Sequence, residues 1–259
     1  MSIVLIVGVY LVAVLVGAES VYTLAPDPEI YMNTTELITS KGFPCENHYV
    51  TTEDGFILNM QRIPHGRGND TPGTAKPAVF LQHGLLGSSN NFVLNPANES
   101  LAFILADAGD DVWLGNIRGN TYSRAHKTLK PSDNKFWEWS FDEMAKYDLP
   151  AMIDYIVRTT GQPQIHYVGH SQGTLIGFAG FSQNKTLGRL VKTFIALAPV
   201  ATVGHIKSPL RLFAPLSKEF KLFDLFAMAT AIRPRRVQQQ QQPDEVVSEG
   251  CLQGSARPL

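Results

Sequence analysis

The chain has 259 residues, 44% of them hydrophobic and 17% charged, with a formal net charge of -1. That is enough apolar material for one sizeable core, and a near-neutral chain without a basic stripe argues against nucleic acid as a partner; the cluster at Arg233, Arg235 and Arg236 is short and reads as solvated. Two cysteines, Cys45 and Cys251, lie far apart and make no metal-ligand spacing.

The amino terminus is an apolar run from Ile3 to Val16, followed by the small residues Gly17 and Ala18 before Glu19. This pattern predicts a secretory signal peptide over residues 1–18. The run is shorter than the roughly 20 apolar residues of a membrane span, so no stable span is expected after cleavage. No basic residue precedes it, which leaves an uncleaved anchor as the alternative. Either reading sends the chain into the secretory pathway, to be secreted or delivered to lysosomes. Sequons beginning at Asn33, Asn69, Asn98 and Asn184 are candidate glycosylation sites compatible with that route.

Met32 to Ser40 predicts a short helix with Asn33 or Thr34 as its cap. Tyr49–Thr51 and Phe56–Arg62, separated by Glu53-Asp54-Gly55, predict a β-hairpin. After a polar connection over 64–76, Ala78–Gln82 reads as a buried strand running into His83-Gly84-Leu85-Leu86-Gly87. A helix near Leu101–Ala108 and a strand at Asp111–Gly115 follow. Ser140 and Glu143 form a capping box ahead of a long helix, with a kink expected near Pro150 and a stop at Thr160-Gly161.

Ile165, Tyr167 and Val168 suit a buried parallel strand, and Thr193–Ala198 reads as one further strand. Alternation of this kind implies an α/β protein, its sheet mainly parallel with helices on both faces. From about Ala229 the texture changes. A glutamine run and an unpatterned stretch predict a disordered tail over 229–259, leaving 30–228 as the folded domain.

The chemistry concentrates at Gly169-His170-Ser171-Gln172-Gly173, between the predicted strand and an apolar helix pattern carrying Leu175, Ile176, Phe178 and Phe181. This is the spacing of a nucleophile elbow, in which glycines on either side allow a strained strand-to-helix turn to present a serine hydroxyl. Ser171 is the candidate nucleophile. The N–H of Gln172 is one candidate donor to a developing oxyanion, and the turn after the Ala78–Gln82 strand supplies another. His170 is adjacent to Ser171, but its side chain should point away from it in so sharp a turn. His83 reads as a loop-shaping residue.

These blocks resemble the acid lipases of the α/β-hydrolase superfamily, the group that includes gastric lipase and lysosomal acid lipase. The resemblance runs from about Asn33 to Phe223. It includes Thr52-Glu-Asp-Gly55, Phe80-Leu-Gln-His-Gly-Leu-Leu86, Phe141-Asp-Glu-Met-Ala-Lys-Tyr-Asp-Leu-Pro150, the elbow, and Ala196-Leu-Ala-Pro-Val-Ala-Thr-Val203. Asp110 and Ile117 depart from it, standing where the group carries an aromatic residue and a serine. The resemblance implies hydrolysis of lipid esters, triacylglycerols or cholesteryl esters, at a lipid–water interface, through a serine acyl-enzyme and without cofactor or metal. It also implies that the second oxyanion donor is the backbone N–H of Leu85.

The group's triad runs Ser, then Asp or Glu, then His. After Ser171 the sequence offers only His205, with no acid between Gln172 and His205; Glu219, Asp224, Asp244, Glu245 and Glu249 come later. A triad in family order cannot be assembled from these residues. The expectation is an incomplete α/β-hydrolase fold lacking the last strands and most of the cap, with Thr193–Ala198 left as an apolar edge. Two functional readings follow: a lipase-family serine ester hydrolase, or a non-catalytic product that binds lipid or a partner.

Overall fold

A computed structural model describes residues 27–68 and 75–202. The predicted signal peptide, Asn69, Cys251, His205 with the acids that follow it, and the 229–259 tail lie outside the described residues. The elements within them form one seven-stranded sheet of β1 (Glu46–Thr51), β2 (Phe56–Ile63), β3 (Ala78–Gln82), β4 (Asp111–Gly115), β5 (Ala125–His126), β6 (Ile165–His170) and β7 (Val191–Leu197), in the order β1-β2-β4-β3-β6-β7 with the two-residue β5 on β2.

Asn33 is the cap of α1 (Thr34–Ser40): its side chain accepts from the Glu36 N–H while Glu36 reaches back to the Asn33 N–H. β1 and β2 form the expected antiparallel hairpin. It closes through Gly55 at φ 103°, whose N–H donates to the Thr52 carbonyl at 3.0 Å. β3, β4, β6 and β7 are mutually parallel, whereas β2 runs antiparallel to β4 and to β5. Only the outer hairpin and β5 break the parallel pattern.

Strand alternation sorts the apolar residues onto two faces. Phe80, Trp113 and Tyr167 point to one face, where Met152, Ile153 and Ile156 of α4 (Leu149–Thr160) and Ile176 of α5 (Gln172–Gln183) cover them. Val79, Leu81, Val112, Leu114 and Val168 point to the other, against α1 and α2 (Leu101–Asp107). β3, β4 and β6 are thus buried on both sides, as a parallel sheet requires. β7 is the edge among the described residues. It exposes Ile195 and Leu197 at 46% and 39%. A short helix, α6 (Lys185–Arg189), joins α5 to β7.

The helix approaching Pro150 differs from expectation. The Ser140 capping box is present ahead of α3 (Phe141–Glu143), but the irregularity lies before the proline, as a π-helical turn over Met144–Asp148. Pro150 sits in the first turn of α4, where its missing N–H removes no bond that α4 itself would make.

The π turn delivers Asp148 to the fold's principal buried ion pair. Asp148 is fully buried and Arg118 is 2% exposed. The Arg118 side chain donates to Asp148 Oδ1 from Nη2 at 2.7 Å and from Nε at 2.9 Å, and its backbone N–H donates to Oδ2 at 3.0 Å. Its far side holds Asp54 of the hairpin turn at 2.7 and 3.0 Å, and the guanidinium lies 4.2 Å from the centre of the Phe56 ring. One arginine therefore ties together the hairpin, the segment after β4 and the start of α4. Removing Asp148 leaves the buried Arg118 with Asp54 alone and its Nε and backbone N–H without an acceptor, so Asp148→Ala should lower stability by up to about 3–5 kcal/mol. Urea unfolding followed by tryptophan fluorescence measures it, and the double variant Arg118→Met/Asp148→Leu should recover part of the loss.

Candidate active site

Ser171 lies between β6 and α5 at φ 51° and ψ -114°, a left-handed conformation that costs a non-glycine residue on the order of 1–3 kcal/mol. Neighbouring contacts leave the turn little freedom. The Ser171 N–H donates to the Leu197 carbonyl of β7 at 2.9 Å. Its carbonyl accepts from the Thr174 N–H at 2.9 Å and from Thr174 Oγ1 at 2.6 Å, and Thr174 Oγ1 accepts in turn from the Val200 N–H at 2.8 Å. From below, the buried Tyr167 hydroxyl donates to the Gly173 carbonyl at 2.7 Å.

The glycines are required for space. A Cβ at Gly173 would stand 2.5 Å from the Gln82 carbonyl oxygen, and one at Gly169 would stand 2.7 Å from the Gly173 carbonyl carbon. The third close approach involves Gly84, where a Cβ would come within 2.9 Å of Ser171 Cβ. The turn after β3 is therefore packed against the elbow, bringing the sequence-assigned residues Leu85, Ser171 and Gln172 into one region at the carboxyl ends of β3 and β6. Gln172 begins α5, where an N–H has no carbonyl partner within its own helix.

The β3 turn is itself specific. Gly87 N–H donates to the Gly84 carbonyl at 3.1 Å, closing a four-residue turn with Leu86 at φ 60°. Leu85 and Leu86 expose 55% and 59% of their surface beside this region. His83 is buried beneath the turn, its Nδ1 2.8 Å from the Gly84 carbonyl oxygen and its Nε2 3.1 Å from Asn120 Nδ2. Burial, opposed by the Gly84 bond and aided by nearby His170, pulls the His83 pKa from 6.5 to about 4.

Among the described residues no histidine or carboxylate hydrogen-bonds Ser171 Oγ. His48 of β1 pairs instead with Glu46 and with Tyr155 of α4, His126 with the Asp54 carbonyl, and His83 with the β3 turn. Of the sequon asparagines, Asn33 and Asn184 cap α1 and α6 through side-chain oxygens, and Asn98 is exposed in a turn. Cys45 is half-buried, and burial pushes its thiol up to about 11, away from reactivity. Sequence reading missed Asn120, which lies inside an Asn-Ile-Arg-Gly-Asn block whose only apparent signal was family likeness.

Comparison with known proteins is consistent with this architecture. Residues 77–250 match the family model described as alpha/beta hydrolase fold, and residues 34–96 match the partial alpha/beta-hydrolase lipase region. The chain belongs to the acid lipase family of the α/β-hydrolase superfamily. It is 60% identical over 186 residues to a human protein named lysosomal acid lipase/cholesteryl ester hydrolase, covering 72% of this chain and 47% of that one. It is 56% identical over 197 residues to the gastric triacylglycerol lipase of Rattus norvegicus, covering 75% and 50%. Against lipase lipl-1 of Caenorhabditis elegans it is 53% identical over 220 residues, covering 83% and 54%. The chain spans about half the length of the curated relatives it matches.

Two outcomes follow from the site. Ser171→Gly should relieve the left-handed backbone and raise stability by about 1 kcal/mol, read as an increase in Tm, because the strain released exceeds glycine's added chain entropy. The second concerns pH. Between pH 6.5 and 4 the unfolded chain protonates His83 while the folded chain does not, so stability falls as acid is added across that window, by up to about 3 kcal/mol. The share due to His83 is the difference in pH slope between the wild-type chain and His83→Gln in urea unfolding.

Proposed function

We propose that the chain carries the acyl-transfer part of a lipid ester hydrolase, with Ser171 as nucleophile and the backbone N–H groups of Gln172 and Leu85 as oxyanion donors. The observation that carries this reading is the left-handed Ser171 packed against Gly84, a Cβ at which would come within 2.9 Å of Ser171 Cβ; this supports a serine set between the turn after β3 and the start of α5. Attack by Ser171 Oγ on an ester carbonyl would form the acyl-enzyme and break the ester C–O bond, the serine proton ending on the departing alkoxide so that it leaves as the alcohol; water would then cleave the acyl-enzyme, releasing the acid and returning a proton to Ser171. Each oxyanion donor would contribute about 10²- to 10³-fold in rate.

The substrate class follows from the relatives, which are named for triacylglycerol and cholesteryl ester hydrolysis. Exposed Leu85 and Leu86 at the site support an apolar acyl chain or lipid surface as the neighbour of the reacting carbonyl. The same relatives support a secreted or lysosomal location, reached through the 1–18 signal peptide, with Asn33, Asn69, Asn98 and Asn184 as glycan acceptors. None of the helices among the described residues is long and apolar enough to cross a membrane.

A non-catalytic reading has one observation in its favour: among the described residues no base contacts Ser171. Incubation with p-nitrophenyl butyrate separates the two. The hydrolase reading expects p-nitrophenolate release and a butyryl adduct on the Ser171 peptide, both lost to background in Ser171→Ala. Absence of adduct and release, with binding to triolein emulsion retained, would establish the non-catalytic reading.

A further inference from the structure

The peptide unit between Gly84 and Leu85 contains both the Gly84 carbonyl and the Leu85 N–H. In a planar trans peptide these two groups point in opposite directions, so whatever fixes the carbonyl also aims the N–H. The Gly84 carbonyl oxygen is held twice, by the Gly87 N–H at 3.1 Å and by His83 Nδ1 at 2.8 Å. A carbonyl only accepts, so His83 must carry its proton on Nδ1.

The proton's place is determined one step further away. Asn120 Oδ1 accepts from the backbone N–H groups of Tyr122 at 2.9 Å and Ser123 at 3.1 Å. This fixes the orientation of the Asn120 amide and commits its Nδ2 as a donor, to Asn116 Oδ1 at 2.8 Å and to His83 Nε2 at 3.1 Å. The Ile117 N–H also approaches His83 Nε2, at 3.4 Å. Two donors aimed at Nε2 leave no room for a proton there. Asn116 is anchored in turn, accepting from the Ser89 N–H at 3.0 Å and donating to Gln61 Oε1 at 3.0 Å.

We infer that Asn120 and His83 are positioning residues for the oxyanion donor at Leu85, acting as a directional hydrogen-bond chain that fixes one histidine tautomer and through it the Gly84–Leu85 peptide plane. The direction of every link is set by backbone groups at its two ends. Burial that keeps His83 neutral well below its ordinary range supports the same assignment, and His170 of β6 is the titratable neighbour that bears on it. Neither residue touches the reacting ester. The inference rests on Leu85 serving as an oxyanion donor, but the chain of bonds has a signature that does not require turnover.

The test uses Asn120→Asp, nearly isosteric but with an oxygen in place of the Nδ2 donor, beside the wild-type chain. Long-range nitrogen–proton NMR of the imidazoles should show wild-type His83 as the Nδ1–H tautomer, without titration from pH 7 to pH 5. In Asn120→Asp, the proton should move from Nδ1 to Nε2 to meet the new acceptor, releasing the Gly84 carbonyl, and the Leu85 amide resonance should shift or broaden while remote amides stay unchanged. With p-nitrophenyl butyrate, the variant's kcat should fall about 10- to 100-fold with KM within about twofold, part of the loss expected when an oxyanion donor is misaimed.

A wild-type His83 found as the Nε2–H tautomer, or titrating near 6.5, would overturn the inference. So would an Asn120→Asp variant that leaves both the Leu85 amide and Ser171-dependent kcat unchanged. Lack of Ser171-dependent turnover in the wild-type chain would overturn the functional proposal instead, while the NMR signature still decides the bond chain.

Discussion

The constraint on which this site depends is backbone contact without side chains. Ser171 can hold its left-handed turn only because Gly169, Gly173 and Gly84 let the ends of β3 and β6 approach to distances that any Cβ would forbid. The turn's strain is offset by bonds that converge from three directions: the Leu197 carbonyl on β7, Thr174 within α5, and Tyr167 from the buried sheet face. A strained serine persists only where its surroundings over-determine it, and here they do.

The same economy of space explains the polar interior beside the turn. Asn59, Gln61, Asn116 and Ser89 are all buried and bond to one another. Buried amides are costly unless fully paired, and a fully paired set is rigid. On the other sheet face Arg118 and Asp148 apply the same logic with charge, fixing the start of α4 to the β-hairpin. Rigid support on both sides holds the β3 turn and the elbow in register.

Much of this was legible in sequence because local patterns and tertiary structure agree. The elbow, the Asn33 and Ser140 caps, the Gly161 stop and the three central strands each carry a short-range signal of spacing or capping chemistry. The π turn was not legible, because no local pattern reports that Asp148, at its end, pairs with Arg118, a partner 30 residues earlier in the chain. Proline at 150 marked the right region, since its ring and missing N–H act on the turn that precedes it. The role of His83 was half legible, since a loop-shaping histidine follows from its place after a strand. Its tautomer depends on Asn120, 37 residues on, and no periodicity reports that pairing.

The described residues divide the demands of acyl transfer unevenly. In the proposed reaction the two peptide N–H groups and the bonds that orient them come from the turn after β3, the segment after β4, and the β6–α5 junction. The group that would take the serine proton is not among the residues bonded to Ser171. Oxyanion stabilisation and binding alone leave roughly 10³- to 10⁴-fold over water when a triad member is removed from a serine hydrolase. A site organised as proposed would have preorganised dipoles, whose value lies in being fixed before the reaction begins. Proton transfer adds to such a site but does not build it, so the precision of the β3 turn would matter even where the base is weak or remote.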